Sequence, residues 1–130
     1  RISSLSRIEQ LNEKDTDKLA HQGSQISAYR VYGALFFGAV KLIEDIENTL
    51  PQKALVLDLK NLIYIDSSGA DALLALGRLC QKKQVRLIVC GLNHQPLDIA
   101  RRTGFLDLVG QNALSDYDSG LDAALLSEKR

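Results

Sequence analysis

The chain has 130 residues, and its 16 lysines and arginines are cancelled by 16 aspartates and glutamates. That length supports one domain with a real core but not two, and the balanced charge removes any electrostatic reason to expect nucleic acid or an anionic membrane surface as partner. The aromatics, Tyr64 among them, are few and not interleaved with basic side chains, which argues against a stacking platform for single strands.

Arg1 to Ser24 is polar, with Ile2, Leu5, Ile8 and Leu11 spaced by three. On a 3.6-residue helix that spacing drifts and leaves only a weak stripe. Asn12 to Gln25 reads as linker, so residues 1–25 are expected to be a connector, helical at most at its start. Ile26 to Val31 alternates apolar and polar residues and predicts a strand. Tyr32-Gly33-Ala34 is expected to turn the chain, and Leu35-Phe36-Phe37 to form a short strand or bend. Gly38 then opens a helix through Thr49, with Ala39, Leu42, Ile43, Ile46 and Leu50 on one face. Pro51 ends it.

Ala54 to Leu59 has Asp58 as its single polar member, the pattern of a central strand covered on both faces. Lys60 to Ile65 leads over the sheet edge to Asp66-Ser67-Ser68-Gly69. Ala70 to Lys83 is rich in Ala and Leu and long enough for about four helical turns. Asp71, Arg78 and Lys82 share its wet face, and Gly77 is expected to permit close approach to the sheet. Val85 to Cys90 is the next buried strand, which completes a βαβ unit with Asp66 to Gly69 at the helix mouth. Gly91 to Gln95 reads as a loop. Pro96 suits the first turn of a helix, Arg101 and Arg102 its last, and Gly104 the stop. Phe105 to Val109 is expected to return to the core as a short strand. Ser115-x-x-Asp118 approximates a capping box, followed by a stripe of Leu114, Tyr117, Leu121, Ala124 and Leu125, with Ser127 to Arg130 as a frayed tail. The alternation predicts an α/β sandwich with a mixed or mostly parallel sheet of about four or five strands.

Cys80 and Cys90 lie in apolar segments without C-x-x-C spacing and read as buried, reduced thiols. His21 and His94 have no ligand-spaced partner, so no metal is expected. No apolar run approaches the roughly 18 residues of a membrane span, and there is no signal peptide. The chain starts at Arg1 and contains no Met, which fits a piece of a longer polypeptide, or one matured by proteolysis.

Asp66 to Gly69 admits two compatible readings. Asp66 or Ser67 can cap the helix, contributing about 1 kcal/mol. An exposed serine there can carry a phosphate that the helix mouth stabilises. A serine hydrolase is poorly supported: the motif is not G-x-S-x-G, and His94 has no placed acid to orient it. The glycines build neither G-x-G-x-x-G nor a P-loop. The loops after Leu59 and Cys90 can still form a shallow pocket at the carboxyl ends of the strands, lined by Asn61, Ser67, Asn93 and His94.

Ile65-Asp66-Ser67-Ser68-Gly69-Ala70, between its apolar strand and Leu-rich helix, resembles the STAS domain, shared by sulfate transporters and anti-sigma-factor antagonists. Tyr29 to Ala39 resembles the R-x-x-G-x-L-F-F-G-A stretch of bacterial SulP-type anion permeases, and Arg102-Thr103-Gly104-Phe105 the later R-x-G-F/L element. The likeness covers roughly Ile26 to Leu126. It implies an α/β STAS-type fold at 26–130, a four- to five-stranded mixed sheet with about four helices packed mainly on one face. Residues 1–25 would then be a connector from a preceding membrane domain. The resemblance also implies a non-enzymatic regulatory module without a cofactor, on the cytoplasmic side of the cell membrane. Its partners would be the transporter's own membrane domain or a cytosolic protein such as acyl carrier protein or a kinase-like regulator. By position, Ser68 matches the serine that is phosphorylated in the antagonist branch. Asn61, Asp66, Ser67, Ser68, Gly69 and Asn93 are the candidate residues for a partner or a nucleotide. The alternative implied is a free-standing anti-sigma-factor antagonist switched at Ser68.

Overall fold

The computed structural model describes residues 6–11, 25–36 and 40–128. In chain order it contains β1 (Ser6–Gln10), β2 (Ile26–Leu35), α1 (Val40–Glu47), β3 (Ala54–Asp58), β4 (Leu62–Ile65), α2 (Ser67–Lys83), β5 (Arg86–Cys90), α3 (His94–Thr103), α4 (Phe105–Val109), a 3₁₀ turn at Gly110–Asn112, β6 (Ala113–Leu114) and α5 (Tyr117–Glu128). The strands form one sheet in the order β1-β2-β3-β5-β6. Only β1 runs antiparallel, against β2; every other pairing among the described residues is parallel.

β2 is the spine of one side of this sheet. Its first half, Ile26 to Arg30, pairs with β3, and its last residues, Gly33 to Leu35, pair with β4. β3 and β4 therefore follow one another along a single edge of β2. The change of partner coincides with a register irregularity between Gly33 and Ala34. Gly33 has φ 79°, in the left-handed region that glycine enters without steric cost, and its N–H donates to the Asn61 carbonyl at 3.0 Å.

The period-2 geometry of the strands sorts their side chains into two cores. Leu55 and Leu57 of β3, Leu87 and Val89 of β5, and Tyr29 and Val31 of β2 face α1 to α4. Ala54 and Val56, Ile88 and Cys90, and Ile26 and Ala28 face the other way, toward Ala124 of α5. Two glycines make this layering possible. A Cβ on Gly120 would lie 3.0 Å from Cys90 Sγ, so its absence lets α5 rest on the sheet; one on Gly77 would collide with Leu108 of α4.

The α/β class, the mixed sheet and the concentration of helices on one face agree with the sequence reading. Several local expectations do not. Ser6–Gln10, expected as the start of a connector and helical at most, is strand β1. Tyr32 to Ala34 does not turn the chain but continues β2, because the irregularity at Gly33 absorbs the bend. Leu62–Ile65 is a strand in its own right. Phe105–Val109 is a helix, with Phe105 and Val109 four apart and both buried. Gly77 lies against Leu87 of the sheet, as expected, and more tightly against Leu108 of the neighbouring helix α4, which the sequence does not predict. The count is therefore six strands and five α-helices among the described residues, with α5 alone on the second face. The linker reading of residues 12–24, the pair Phe37-Gly38 and the last two residues of the tail fall outside the described residues, whereas Ser127 and Glu128 belong to α5.

Cys80 and Cys90 are free and buried, as the apolar segments predict. Burial pushes their thiols up to about 11 and about 12 respectively. In the unfolded chain both ionise near pH 8.5, so above that pH the unfolded state holds fewer protons than the folded one and stability falls as pH rises. Urea midpoints are expected to decline from about pH 8.5 toward pH 11, and the decline should shrink in Cys80→Ala and Cys90→Ala variants compared across the same pH series.

Candidate functional site

The mouth of α2 is built by Asp66. Its carboxylate Oδ1 accepts the Gly69 N–H at 2.8 Å, and its backbone carbonyl accepts the Ala70 N–H at 2.9 Å. Its own N–H donates to the Leu35 carbonyl at 3.1 Å, at the end of β2. Asp66 is thus the N-cap that the sequence allows for, with extended backbone at φ −89° and ψ −179°. Gly69 completes the fit: any Cβ there would collide with the Leu35 carbonyl, so only glycine lets the first turn of α2 sit against the end of β2. Ser67 is exposed and Ser68 half-buried, at the first and second helical positions. Backbone N–H groups of a first turn, together with the helix dipole, favour negative charge at that place.

A second helix braces the turn. The Gln95 amide in the first turn of α3 accepts from the Ile65 N–H at 2.9 Å and donates to the Ile65 carbonyl at 2.8 Å. It imitates a neighbouring strand and satisfies both backbone groups of the residue before Asp66. Beside it, β4 presents Ile63 and Tyr64 to solvent, 71% and 44% exposed, with the Tyr64 ring tilted against Phe36 at 5.8 Å. The α2 mouth is therefore a polar rim flanked by apolar side chains.

The carboxyl ends of the strands hold a different feature on the α5 side. A cavity of about 400 Å³ lies among Arg30, Asp58, Lys60, Asn61, Gly91 and the start of α5 from Ser115 to Asp118. At its floor Arg30 Nε donates to Asp58 Oδ2 at 2.8 Å, and Asp58 Oδ1 accepts the Lys60 N–H at 3.1 Å. Asp58 is almost wholly buried, so this pairing satisfies an otherwise costly charge. The hydrogen bond to Asp58 holds the Arg30 guanidinium firmly protonated. The α5 cap is Asp116, whose Oδ1 accepts the Ser119 N–H at 2.8 Å. That bond lowers the Asp116 pKa, and the cap is not the Ser115 box expected from the sequence.

The six candidate binding residues do not share one pocket. Asp66, Ser67, Ser68 and Gly69 make the α2 mouth; Asn93 precedes α3 and is exposed; Asn61 lines the cavity on the α5 side. The loops after Leu59 and Cys90 do meet, with Gly91 against Lys60, and they line this cavity together with Asn61; Ser67, Asn93 and His94 are not in its lining, Ser67 standing beyond the far end of β4. No hydrogen bond joins His94 to Ser67 or Ser68 among the described residues. Sequence reasoning does not single out Arg30, Gln95 or Tyr117 as site residues. For Arg30 a signal exists: Asp58, a lone carboxylate in an apolar strand, demands a cationic partner.

A protein-family model described as the STAS domain matches residues 18–118. The chain belongs to the STAS domain family, which is non-catalytic. A curated relative, "Putative sulfate transporter YvdB" of Bacillus subtilis (strain 168), is 26% identical over 121 residues, covering 90% of this chain but only 22% of the relative. Among solved structures, a sulfate transporter family protein from Wolinella succinogenes has TM-score 0.77 at 21% identity, covering 92% of this chain and all of that one. The SulP transporter STAS domain from Vibrio cholerae has TM-score 0.71 at 25% identity, covering 91% and 98%. An anti-sigma-factor antagonist from Mycobacterium paratuberculosis shares the fold at TM-score 0.67 and 21% identity, covering 92% and 95%. The fold is therefore shared with both branches. No helix among the described residues is long and apolar enough to cross a membrane.

Asp66→Ala is expected to cost about 1 kcal/mol in chemical denaturation through the lost cap. Gly69→Ala should cost more, about 1–3 kcal/mol, because backbone must move. Arg30→Met leaves Asp58 buried without its ion partner and is expected to cost about 2 kcal/mol. The double variant Arg30→Met/Asp58→Leu should recover most of that loss.

Proposed function

We propose that this chain is the cytoplasmic regulatory and protein-interaction module of a secondary anion transporter of the sulfate-permease kind. The observation that carries the reading is the 26% identity to YvdB across 90% of the chain. The Vibrio cholerae SulP domain, at 25% identity, supports it, as does the permease-like stretch around Arg30 and Gly33. Because the chain spans 22% of YvdB, the anion path would lie in membrane segments outside it.

In this reading the α2 mouth is the docking point. Ser67 and Ser68 supply hydroxyls, Ile63 and Tyr64 supply apolar contact, and the surface meets the transporter's membrane part or a cytosolic regulator. Phosphorylation of Ser68 would add about two negative charges where the helix dipole favours them and where a contact surface would otherwise be neutral. The half-buried Ser68 before Gly69 supports the second reading, a free-standing antagonist whose binding to an anti-sigma factor is switched at Ser68.

The coding sequence upstream of Arg1 separates the two. About ten or more apolar segments of spanning length are expected; a start codon immediately upstream overturns the transporter reading. In the full-length transporter, Ser68→Asp is expected to change anion uptake or partner binding several-fold relative to Ser68→Ala. If both variants match wild type in both measurements, Ser68 is not the switch.

A further inference from the structure

We propose that β1 is a self-association edge, where two copies of this chain pair antiparallel about Ile8 to make one continuous sheet. The inference is independent of the transporter reading. In the strand order β1-β2-β3-β5-β6, β1 stands at one end among the described residues. The Leu11 N–H donates to the Ala28 carbonyl at 2.9 Å, in the same register that sets Glu9 opposite Arg30 and Arg7 opposite Tyr32. Bonded and non-bonded pairs alternate in an antiparallel ladder. Arg7, Glu9 and Leu11 therefore spend their backbone groups on β2, while Ser6, Ile8 and Gln10 direct theirs toward the open edge. An edge that presents a row of N–H and C=O groups is a template for another strand.

Natural edges are commonly defended by charged side chains or proline. This one, Ser6-Arg7-Ile8-Glu9-Gln10, has no proline, and its two charges are of opposite sign, so they repel a second copy only in the wrong register. A two-fold axis at Ile8 puts Ile8 opposite Ile8 of the second copy in a bonded pair, and Ser6 opposite Gln10. It also sets Arg7 opposite Glu9 of the second copy, twice, in the non-bonded pairs where side chains approach most closely. Both are exposed on the α5 side of the sheet, held in place by Tyr32: the Arg7 guanidinium lies 4.1 Å from its ring centroid, and the Tyr32 hydroxyl donates to Glu9 at 2.9 Å. On the other face Ile8 packs only partly against the main core, and its twin would cover the remainder. The charge pattern is thus self-complementary, as an isologous contact requires. Five residues a side make a small interface, so association is weak and concentration-dependent.

Sedimentation equilibrium of the 130-residue chain, from about 10 μM to about 1 mM at low salt, tests this. The average mass is expected to rise toward twice that of one chain. Arg7→Glu and Glu9→Arg should each raise the dissociation constant on the order of tenfold or more, by turning two attractions into repulsions. Their equimolar mixture should associate again, because one variant's edge is then wholly acidic at the two charged positions and the other's wholly basic. Ile8→Pro removes the outward N–H while leaving the ladder to β2 intact, and should abolish association with circular dichroism unchanged. A wild-type chain that stays monomeric to about 1 mM overturns the proposal. So does a mixture that fails to restore association, or charge variants that associate as tightly as wild type.

Discussion

Strand β3 has no solvated face, and most of the molecule follows from that. Ala54, Leu55, Val56 and Leu57 are completely buried. A strand of this kind needs cover on both sides of the sheet. One cover is the layer of α1 to α4, connected by parallel crossovers that return the chain to the same face. The other is α5, which reaches the opposite face only after β6 has ended the sheet. The same strand finishes on Asp58, a carboxylate that cannot stay buried alone, and the neighbouring strand answers with Arg30, just before it changes partner at Gly33.

That change of partner positions the α2 mouth. Because β2 outlasts β3, its last residues can hold β4 and, through the Leu35 carbonyl, the N–H of Asp66. The helix that starts there is fixed from below by β2, at its cap by Asp66, and from the side by the Gln95 amide on Ile65. Two serines are left outward on a rigid support. Such a place suits recognition: Ser67 is exposed, Ser68 half-buried, and the backbone around them has little freedom to lose on binding.

The two polar features of the domain are separate. The α2 mouth faces outward beside Tyr64 and Ile63, whereas the cavity at Arg30 and Asp58 belongs to the α5 side and mixes both signs of charge. Loops that follow consecutive parallel strands look adjacent in the sequence order of a βαβ unit. Here the loops after β3 and β5 do meet at Lys60 and Gly91, but Asn61 and Ser67 stand at opposite ends of β4 and serve different surfaces. The relatives from both branches share the architecture, which locates the distinction between them in surface residues and in the rest of each polypeptide rather than in the fold.

Local chemistry by itself determined the strands at Ala54, Arg86 and Ile26, the helix at Ser67, its Asp66 cap, the stop at Gly104 and the buried thiols. Each rests on contacts within a few residues or on burial that an apolar run demands. Phe105 to Val109 reads as a strand because a five-residue apolar run satisfies strand and helix equally; its helical state comes from packing Leu108 into the space left by Gly77. Ser6–Gln10 escapes a strand reading because a charged edge strand carries little apolar signal; it becomes a strand only when β2 supplies its partner. Arg30 with Asp58, Gln95 with Ile65, and Gly69 against Leu35 join residues far apart in the chain. Pairings at that separation exist only after the chain has closed its loops, so the residue types were legible in the sequence and their partnerships were decided by the tertiary structure.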